Sequence, residues 1–233
     1  MLFLFLESVI NMSLCILAIN SGKLEEIKKK ILDKYQLPKS LYSKSIDDIY
    51  NWADNMRNST SKKDYDWANN HAKQIGFNEE NANESSGSNM MLDLECDLDD
   101  IYMDASLKEF NIGYGGFYLM RQKLAPLYGA RYYYAKHDSE GHPDLDSYMF
   151  GSPSEWDNSK TGNALFKFFM HSDCDGQYSA ENIKLLNEYN KKHNIKNKVK
   201  KLNDVDPELV DRFSEFLDFI DYSAKHDCYW DFC

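Results

Sequence analysis

The sequence predicts an α+β fold, in which a helical N-terminal part is followed by a mostly helical domain with a short β-sheet. Apolar residues recur at helical spacing along most of the chain, whereas only a few short segments have the character of strands. The clearest strand candidates are residues 13–19, residues 131–134 and the aromatic C-terminal end. A hydrophobic fraction of 42% and an aromatic fraction of 14% provide the apolar area that a packed core requires.

The N-terminal helices are predicted from amphipathic patterns and capping residues. Residues 23–37 place their apolar side chains on one face, and Pro38 ends the helix. Ser45 is the predicted N-cap of a second helix. A third helix is predicted over residues 62–74, with Gly76 as its C-terminal cap.

Three further helices are predicted in the second half of the chain. Residues 161–170 and 180–189 have helical apolar spacing on either side of a short polar segment. The last helix is predicted to begin at the N-cap Asp206, with Pro207 in its first turn. Its buried face is expected to hold Leu209, Val210, Phe213, Phe216, Leu217 and Ile220.

Residues 78–89 differ in composition from their surroundings. They are rich in Ser and Asn and contain no large apolar residue, which is typical of a linker or an exposed loop. We therefore expect a helical part over residues 1–77 and a main domain over residues 90–233.

An acidic segment follows this expected linker. Leu92, Leu94, Cys96 and Leu98 alternate with acidic residues between residues 90 and 104. Period-two alternation predicts a strand with one acidic face. That face is either a solvated surface, or a surface that binds a cation or a basic partner.

Charge and cysteine content reduce the number of functions that are compatible with the sequence. The formal net charge of −11 disfavours nucleic acid and anionic membranes as partners, and it favours a basic protein or divalent cations. The five cysteines form no Cys-x-x-Cys pair, so reduced thiols are expected. The apolar start is interrupted by Glu7 and is a poor signal peptide, which predicts a cytoplasmic protein. Met12 is an alternative start, which would make residues 1–11 an upstream extension.

A glycine motif precedes a predicted helix. It consists of Gly113, Tyr114, Gly115, Gly116 and Phe117, with Arg121 one turn later. The spacing is that of neither a phosphate-binding loop nor a dinucleotide fingerprint. The motif therefore predicts a tight turn into a helix.

The polar segment between two predicted helices is the central loop, His171-Ser172-Asp173-Cys174-Asp175-Gly176. Its middle resembles a calcium loop, but His171 and Asn182 stand at the two end positions, where oxygen ligands are required. A divalent metal held by His171, Asp173 and Asp175 is one alternative, and Cys174 as a nucleophile is another. The structural interpretation gives Gly176 a positive φ and makes Ser179 the next N-cap. On that interpretation the protein needs no cofactor.

The glycine motif and the central loop together resemble an uncharacterised family of bacterial and phage proteins. The shared features are a Gly-Tyr-x-Gly-Phe…Arg motif and a His-Ser-Asp-Cys-Asp-Gly motif, and the resemblance covers residues 90–233. It implies a shared domain and no particular activity.

The expected function is that of an acidic protein-binding module, of the inhibitor or immunity type, that masks a basic target. Charge, aromatic content and the lack of a complete catalytic constellation favour this class. The alternative is a metal-dependent hydrolase that uses the acidic strand together with residues 171–176. Whether the protein is an enzyme stays open at this point.

Overall fold

The computed structural model describes residues 13–77, 86–134, 148–151, 153, 156, 159–171, 176–203 and 205–233. The strands in these residues are β1 (Ser13–Asn20), β2 (Ser106–Gly113), β3 (Arg131–Tyr134), β4 (Tyr148–Gly151), β5 (Gln177–Tyr178) and β6 (Cys228–Phe232). The α-helices are α1 (Ser21–Lys34), α2 (Ile46–Arg57), α3 (Lys62–Gln74), α4 (Ser86–Asp99), α5 (Ile101–Ala105), α6 (Tyr114–Leu124), α7 (Lys160–Phe169), α8 (Ala180–Lys192), α9 (Ile195–Val199) and α10 (Pro207–Lys225). The predicted α+β class is confirmed.

Backbone contacts divide the chain into two compact units. The sheet unit contains Ser13–Asn20 and Ser106–Cys233, and the helical unit contains Ser21–Ala105. The boundaries between the two units therefore lie after Asn20 and after Ala105. The sequence pattern instead predicted a boundary at residues 78–89. No helix in the described part of the chain is both long enough and apolar enough to cross a membrane.

The sheet unit is built on a four-stranded antiparallel sheet. Its strand order is β2-β1-β6-β5, so β1 and β6 occupy the two central positions. The indole of Trp230 on β6 is fully buried, and its Nε1–H donates to Ser223 Oγ at 2.9 Å. Three rings from two other elements, β5 and α10, pack within 6 Å of it, with centroid distances of 5.3 Å to Tyr178, 5.5 Å to Phe219 and 5.6 Å to Phe216. Aromatic packing thus provides much of the core, as the composition predicted.

The helical unit is held together around α4. Lys34 Nζ and Tyr35 Oη both donate to Asp97 Oδ2, at 2.6 Å and 2.8 Å. Burial raises the pKa of Tyr35 to about 12, so its hydroxyl stays protonated and donates. Arg57 Nε donates to Oε1 of the buried Glu95 at 2.8 Å, which connects α2 to α4. These two acidic residues of α4 are therefore neutralised inside the unit.

The predicted capping residues are confirmed. Ser45 Oγ accepts from the amide of Asp48, and Asp206 Oδ1 accepts from the amide of Glu208. Pro207 occupies the first turn of α10. The predicted strands at residues 13–19 and 131–134 and at the C-terminal end are also present.

The acidic segment was predicted wrongly as a strand, because residues 86–105 form α4 and α5. The same segment also has a helical pattern of apolar residues. The residues at helical spacing are all buried: Met90, Met91, Leu94, Leu98 and Ile101. Leu92 and Cys96, which belonged to the supposed apolar face, are exposed. Period-two alternation was therefore coincidental.

The linker prediction is also wrong for residues 86–89, which form the first turn of α4, while residues 78–85 lie outside the described residues. Small residues are needed here because the helices are closely packed. A Cβ on Gly87 would lie 2.6 Å from the carbonyl carbon of Ala68 on α3. The Gly87 amide also donates to Asn69 Oδ1 at 2.8 Å. The small residues that are typical of loops thus allow α3 and α4 to pack closely at Gly87.

The pairing of β1 with the C-terminal end can be tested through two cysteines. The amide of Cys15 donates to the carbonyl of Cys233 at 2.8 Å, and the reverse bond is 2.9 Å. Cα atoms in such a hydrogen-bonded pair are about 5.5 Å apart, within the range that a disulfide spans. Mild oxidation of the native protein with copper phenanthroline should therefore join these two cysteines.

The product is identified by loss of two hydrogen atoms in the intact mass and by a linked peptide after digestion. Burial raises the pKa of the Cys15 thiol to about 12, so the exposed Cys233 is expected to be oxidised first. Cys15→Ser is the matched control and should give no such peptide. Recovery of Cys233 in other linkages only would contradict the strand pairing.

Candidate functional site

The glycine motif forms the junction between β2 and α6. Gly113 is the last residue of β2, and α6 begins directly after it, so the predicted turn into a helix is confirmed. A Cβ on Gly116 would lie 3.0 Å from Ile112 Cγ1, which favours glycine at this position. Phe117 is fully buried and packs edge-on against Phe168 of α7, with ring centroids 6.4 Å apart.

Arg121 connects the glycine motif to the central loop. Its side chain is only 3% exposed, and its guanidinium lies over the ring of Phe117, 4.6 Å from the centroid. Nη1 donates to the carbonyl of His171 at 2.7 Å and approaches that of Phe169 at 3.4 Å. These carbonyls lie at the C-terminal end of α7, whose last residue is Phe169, and a cation is favoured there by the helix dipole. The two motifs of the sequence therefore meet in the structure.

The two described ends of the central loop are fixed against the last strand. The ring of His171 stacks on Phe232 with centroids 4.0 Å apart. The carbonyl of Gly176 accepts from the amide of Phe232 at 3.1 Å, and Gly176 has the predicted positive φ, +102°. Ser179 Oγ accepts from the amide of Asn182, as expected of an N-cap. The contacts of His171 and Gly176 with Phe232 thus fix both described ends of the loop to β6, which is a structural role.

The metal and nucleophile hypotheses depend on residues 172–175, which lie outside the described residues. Asp173, Cys174 and Asp175 belong to this segment, so a metal site formed with His171 stays a prediction. Within the described ranges, no group of three or more His, Cys, Asp or Glu side chains could hold a metal ion. The supposed acidic strand of the hydrolase hypothesis is the α4–α5 helical segment instead.

The exposed carboxylates of α4, α5 and the turn between them form the acidic face, defined by Asp93, Asp99, Asp100 and Asp104; the same segment carries the exposed apolar side chains of Leu92 and Met103. All four carboxylates are exposed and form no ion pair with a described residue. Leu92 and Met103 are 46% and 51% exposed. The nearby negative charge of Asp99 raises the pKa of the Tyr50 hydroxyl on α2. The acidic face therefore combines uncompensated charge with apolar anchors.

The sequence analysis missed a polar cavity in the sheet unit. The cavity lies among α8, α9 and α10 and has a volume of about 400 Å³. Two of its three lysines, Lys191 and Lys196, belong to a basic run over residues 191–201 that contains six lysines in an otherwise acidic chain. Attention to local charge, rather than net charge, would have found this run from the sequence.

Comparisons with known proteins identify no relative. No family model, no curated protein and no solved structure matches this chain. The resemblance to uncharacterised bacterial and phage proteins therefore stays a hypothesis.

The role of Arg121 can be tested by Arg121→Met. Methionine keeps much of the apolar stem but removes the hydrogen bond from Arg121 to the partly buried carbonyl of His171. We expect the free energy of unfolding to fall by about 1–3 kcal/mol, the cost of an unmet buried hydrogen-bonding group. Urea denaturation measures the change.

Arg212→Met is the matched control, because Arg212 forms an exposed ion pair with Glu215 and should contribute less than about 1 kcal/mol. Equal effects of the two substitutions would contradict a structural role of Arg121.

The backbone of Gly176 gives a second test. A Cβ there would meet only ordinary contacts, 3.5 Å from His171 Cε1, so the cost of a side chain comes from the positive φ. Gly176→Ala should lower stability by about 1–3 kcal/mol. Gly176→Asn should lower it less, because asparagine tolerates positive φ better than alanine.

Melting temperatures of the three proteins, with and without EDTA, provide the measurement. The structural interpretation predicts the order Gly, Asn, Ala and no effect of the chelator. A lower melting temperature of the wild-type protein in EDTA would favour the metal hypothesis instead.

Proposed function

We propose that the protein is an acidic protein-binding module, of the inhibitor or immunity type, whose acidic face masks a basic target. The observation that carries the proposal is the contrast between two sets of acidic residues on one helical segment. Glu95 and Asp97 face other helices and are paired with Arg57 and Lys34. The carboxylates of the acidic face have no such partner among the described residues.

Carboxylates without cationic partners repel one another when they lie close together, so ion pairing within the fold does not explain their clustering. Simple solubility would be served equally well by dispersed charges. A basic partner would be attracted by the clustered charge before contact, which raises the association rate. The exposed side chains of Leu92 and Met103 would then be buried in the complex and would slow dissociation.

The same arrangement defines the chemistry of the partner. It should present several lysine or arginine side chains around at least one apolar pocket or groove. Nucleic acid and anionic membranes do not have this chemistry, and the acidic face would repel them. The affinity of such a complex depends on the apolar anchors, whereas its specificity and association rate depend on charge.

The proposal is tested with peptides selected for binding from a random display library. The selected peptides should be rich in lysine, arginine and apolar residues. Their association rate constant should fall by about tenfold or more as salt rises from roughly 0.05 M to 0.5 M, because the Debye length becomes much shorter. Surface plasmon resonance measures the rates.

Two variants with the same formal charge distinguish an effect of the acidic face from an effect of the net charge of the protein. The face variant carries Asp93→Asn, Asp99→Asn, Asp100→Asn and Asp104→Asn. The control variant carries Asp66→Asn, Glu109→Gln, Glu188→Gln and Asp211→Asn, all at exposed positions outside the face. Association should slow strongly in the face variant and little in the control. Equal slowing in both, or selected peptides without basic residues, would contradict the proposal.

A further inference from the structure

Cys15 on β1 and Cys233, the residue after β6, face each other across the sheet. The amide of each residue donates to the carbonyl of the other, at 2.8 Å and 2.9 Å. Residues that exchange both hydrogen bonds in an antiparallel pair lie directly opposite each other, with their side chains on the same face. Cys233 Sγ lies 3.4 Å from the carbonyl oxygen of Cys15, and the two thiols are within hydrogen-bonding reach of each other. The pair therefore has the separation that a disulfide requires, without a rearrangement of the backbone.

Packing does not explain why two cysteines meet here. The core residues of β1 alternate with Cys15 and lie on the other face of the strand: Leu14, Ile16 and Ala18. Cys233 is exposed, so a dissolved oxidant can reach its sulfur atom. The other cysteines in the described part of the chain differ from this pair, because Cys228 is fully buried and Cys96 lies in the helical unit. Cys15 and Cys233 are thus suited to a reaction with each other.

The two thiols of the pair differ in reactivity. Burial, the neighbouring Cys233 thiol and the negative charge of Glu109 on β2 together raise the pKa of the Cys15 thiol to about 12. Asp231, on the same face of β6, is also acidic and accepts a hydrogen bond from Gln177. The thiolate is the reactive form of a cysteine, so Cys15 reacts slowly at neutral pH. Cys233 is therefore expected to react first with an external oxidant, and Cys15 second.

We propose that Cys15 and Cys233 form a redox site, which low-molecular-weight disulfides of the glutathione class oxidise reversibly to a disulfide that fixes the end of β6 to β1. Copper-catalysed oxidation requires only that two thiols are close. Exchange with a small disulfide requires in addition that one thiol attacks the oxidant and that the other completes the reaction. The site lies in the sheet unit, so it does not depend on the acidic face of the helical unit.

The reaction proceeds in two steps. The Cys233 thiolate attacks one sulfur of the oxidant, breaks its S–S bond and releases the first small thiol, which leaves a mixed disulfide on Cys233. The Cys15 thiol then loses its proton to solvent, and its sulfur attacks the Cys233 sulfur and releases the second small thiol. The protein loses two protons and two electrons in total, and the oxidant is reduced to two thiols. An exposed disulfide is labile, so an excess of the small thiol reverses both steps.

The effect of the disulfide reaches the central loop through Phe232, the neighbour of Cys233. The amide of Phe232 donates to the carbonyl of Gly176 at 3.1 Å, and its ring stacks on His171 with centroids 4.0 Å apart. The end of a strand normally opens at a small cost in free energy. A covalent bond between β1 and the residue after β6 would prevent this opening, so both described ends of the central loop would be held more firmly.

Oxidised glutathione is the probe for the exchange reaction, and mass spectrometry of the intact protein and of its peptides is the readout. The reduced protein should first gain a glutathione adduct on Cys233, which then converts to the Cys15–Cys233 disulfide with the loss of glutathione. Because the pKa of Cys15 lies above the working range, the rate of this conversion should rise about tenfold from pH 7 to pH 8. Reduced glutathione in excess should restore both thiols.

Two controls distinguish this reaction from general thiol oxidation. Cys15→Ser keeps Cys233 but has no second thiol at this site, so its adduct should persist. Cys96 is exposed on α4, and its adduct in the wild-type protein should persist as well. A wild-type adduct on Cys233 that never converts to the Cys15–Cys233 disulfide, or that converts at a rate independent of pH, would overturn the proposal.

Hydrogen exchange measures the effect of the disulfide on the fold. Peptides that cover residues 228–233 should exchange more slowly by about tenfold or more after oxidation, whereas peptides of α2 and α3 should not change. The oxidant should leave the exchange of the Cys233→Ser variant unaltered, which controls for adducts at other cysteines. Equal exchange of residues 228–233 in the reduced and the oxidised protein would overturn the proposed effect on β6, and with it the proposal.

Discussion

The position of β1 between β2 and β6 is the constraint on which the rest of the sheet unit depends. It brings the start of the described chain, residues 106–113 and the C-terminal end into one hydrogen-bonded ladder. Because α6 begins where β2 ends, this ladder also sets the direction of the helix that carries Arg121. The amide of Phe232, at the end of β6, bonds to Gly176. The contact between Arg121 and the carbonyl of His171 therefore relies on pairings made far away in the sequence.

Local signals in the sequence were sufficient where a residue acts on its own neighbours. Ser45, Ser179 and Asp206 were predicted as caps, because a short polar side chain before an apolar periodic segment has few other roles. Gly176 was predicted to have positive φ from its place in a polar loop between two helices, and it has. The strand at residues 13–19 was evident from its run of apolar residues. Each of these features requires only a few consecutive residues.

The failures occurred where two patterns coexist or where partners are distant. The apolar residues of segment 90–104 fit both a strand pattern and a helix pattern. The segment is helical because its apolar residues pack against other helices of the helical unit. Tertiary context routinely overrides such local preferences. The hydrogen bond between Tyr128 and Asn190 joins residues 62 positions apart, so it cannot be predicted from a local sequence pattern. The polar cavity was missed because residues from three separate helices line it, and because the net charge of −11 concealed a basic run.

The functional account rests on charges that the fold leaves uncompensated. On α4, acidic side chains that point into the helical unit are paired, whereas those of the acidic face are not. Selection for folding alone does not explain this difference, since unpaired clustered carboxylates repel one another. Leu92 and Met103 add exposed apolar area on the same segment, and exposed apolar area is typical of interaction sites. Charge and apolar area thus occur together on one helical segment.

Zero-length cross-linking tests this account most directly. A carbodiimide joins carboxylates to amines that are in contact, so a bound basic peptide is covalently fixed at the surface that it occupies. The account predicts that its lysines will be linked to Asp93, Asp99, Asp100 or Asp104, as identified by mass spectrometry of the digested complex. Links confined to acidic residues of the sheet unit, such as Asp206 or Asp211, would contradict it.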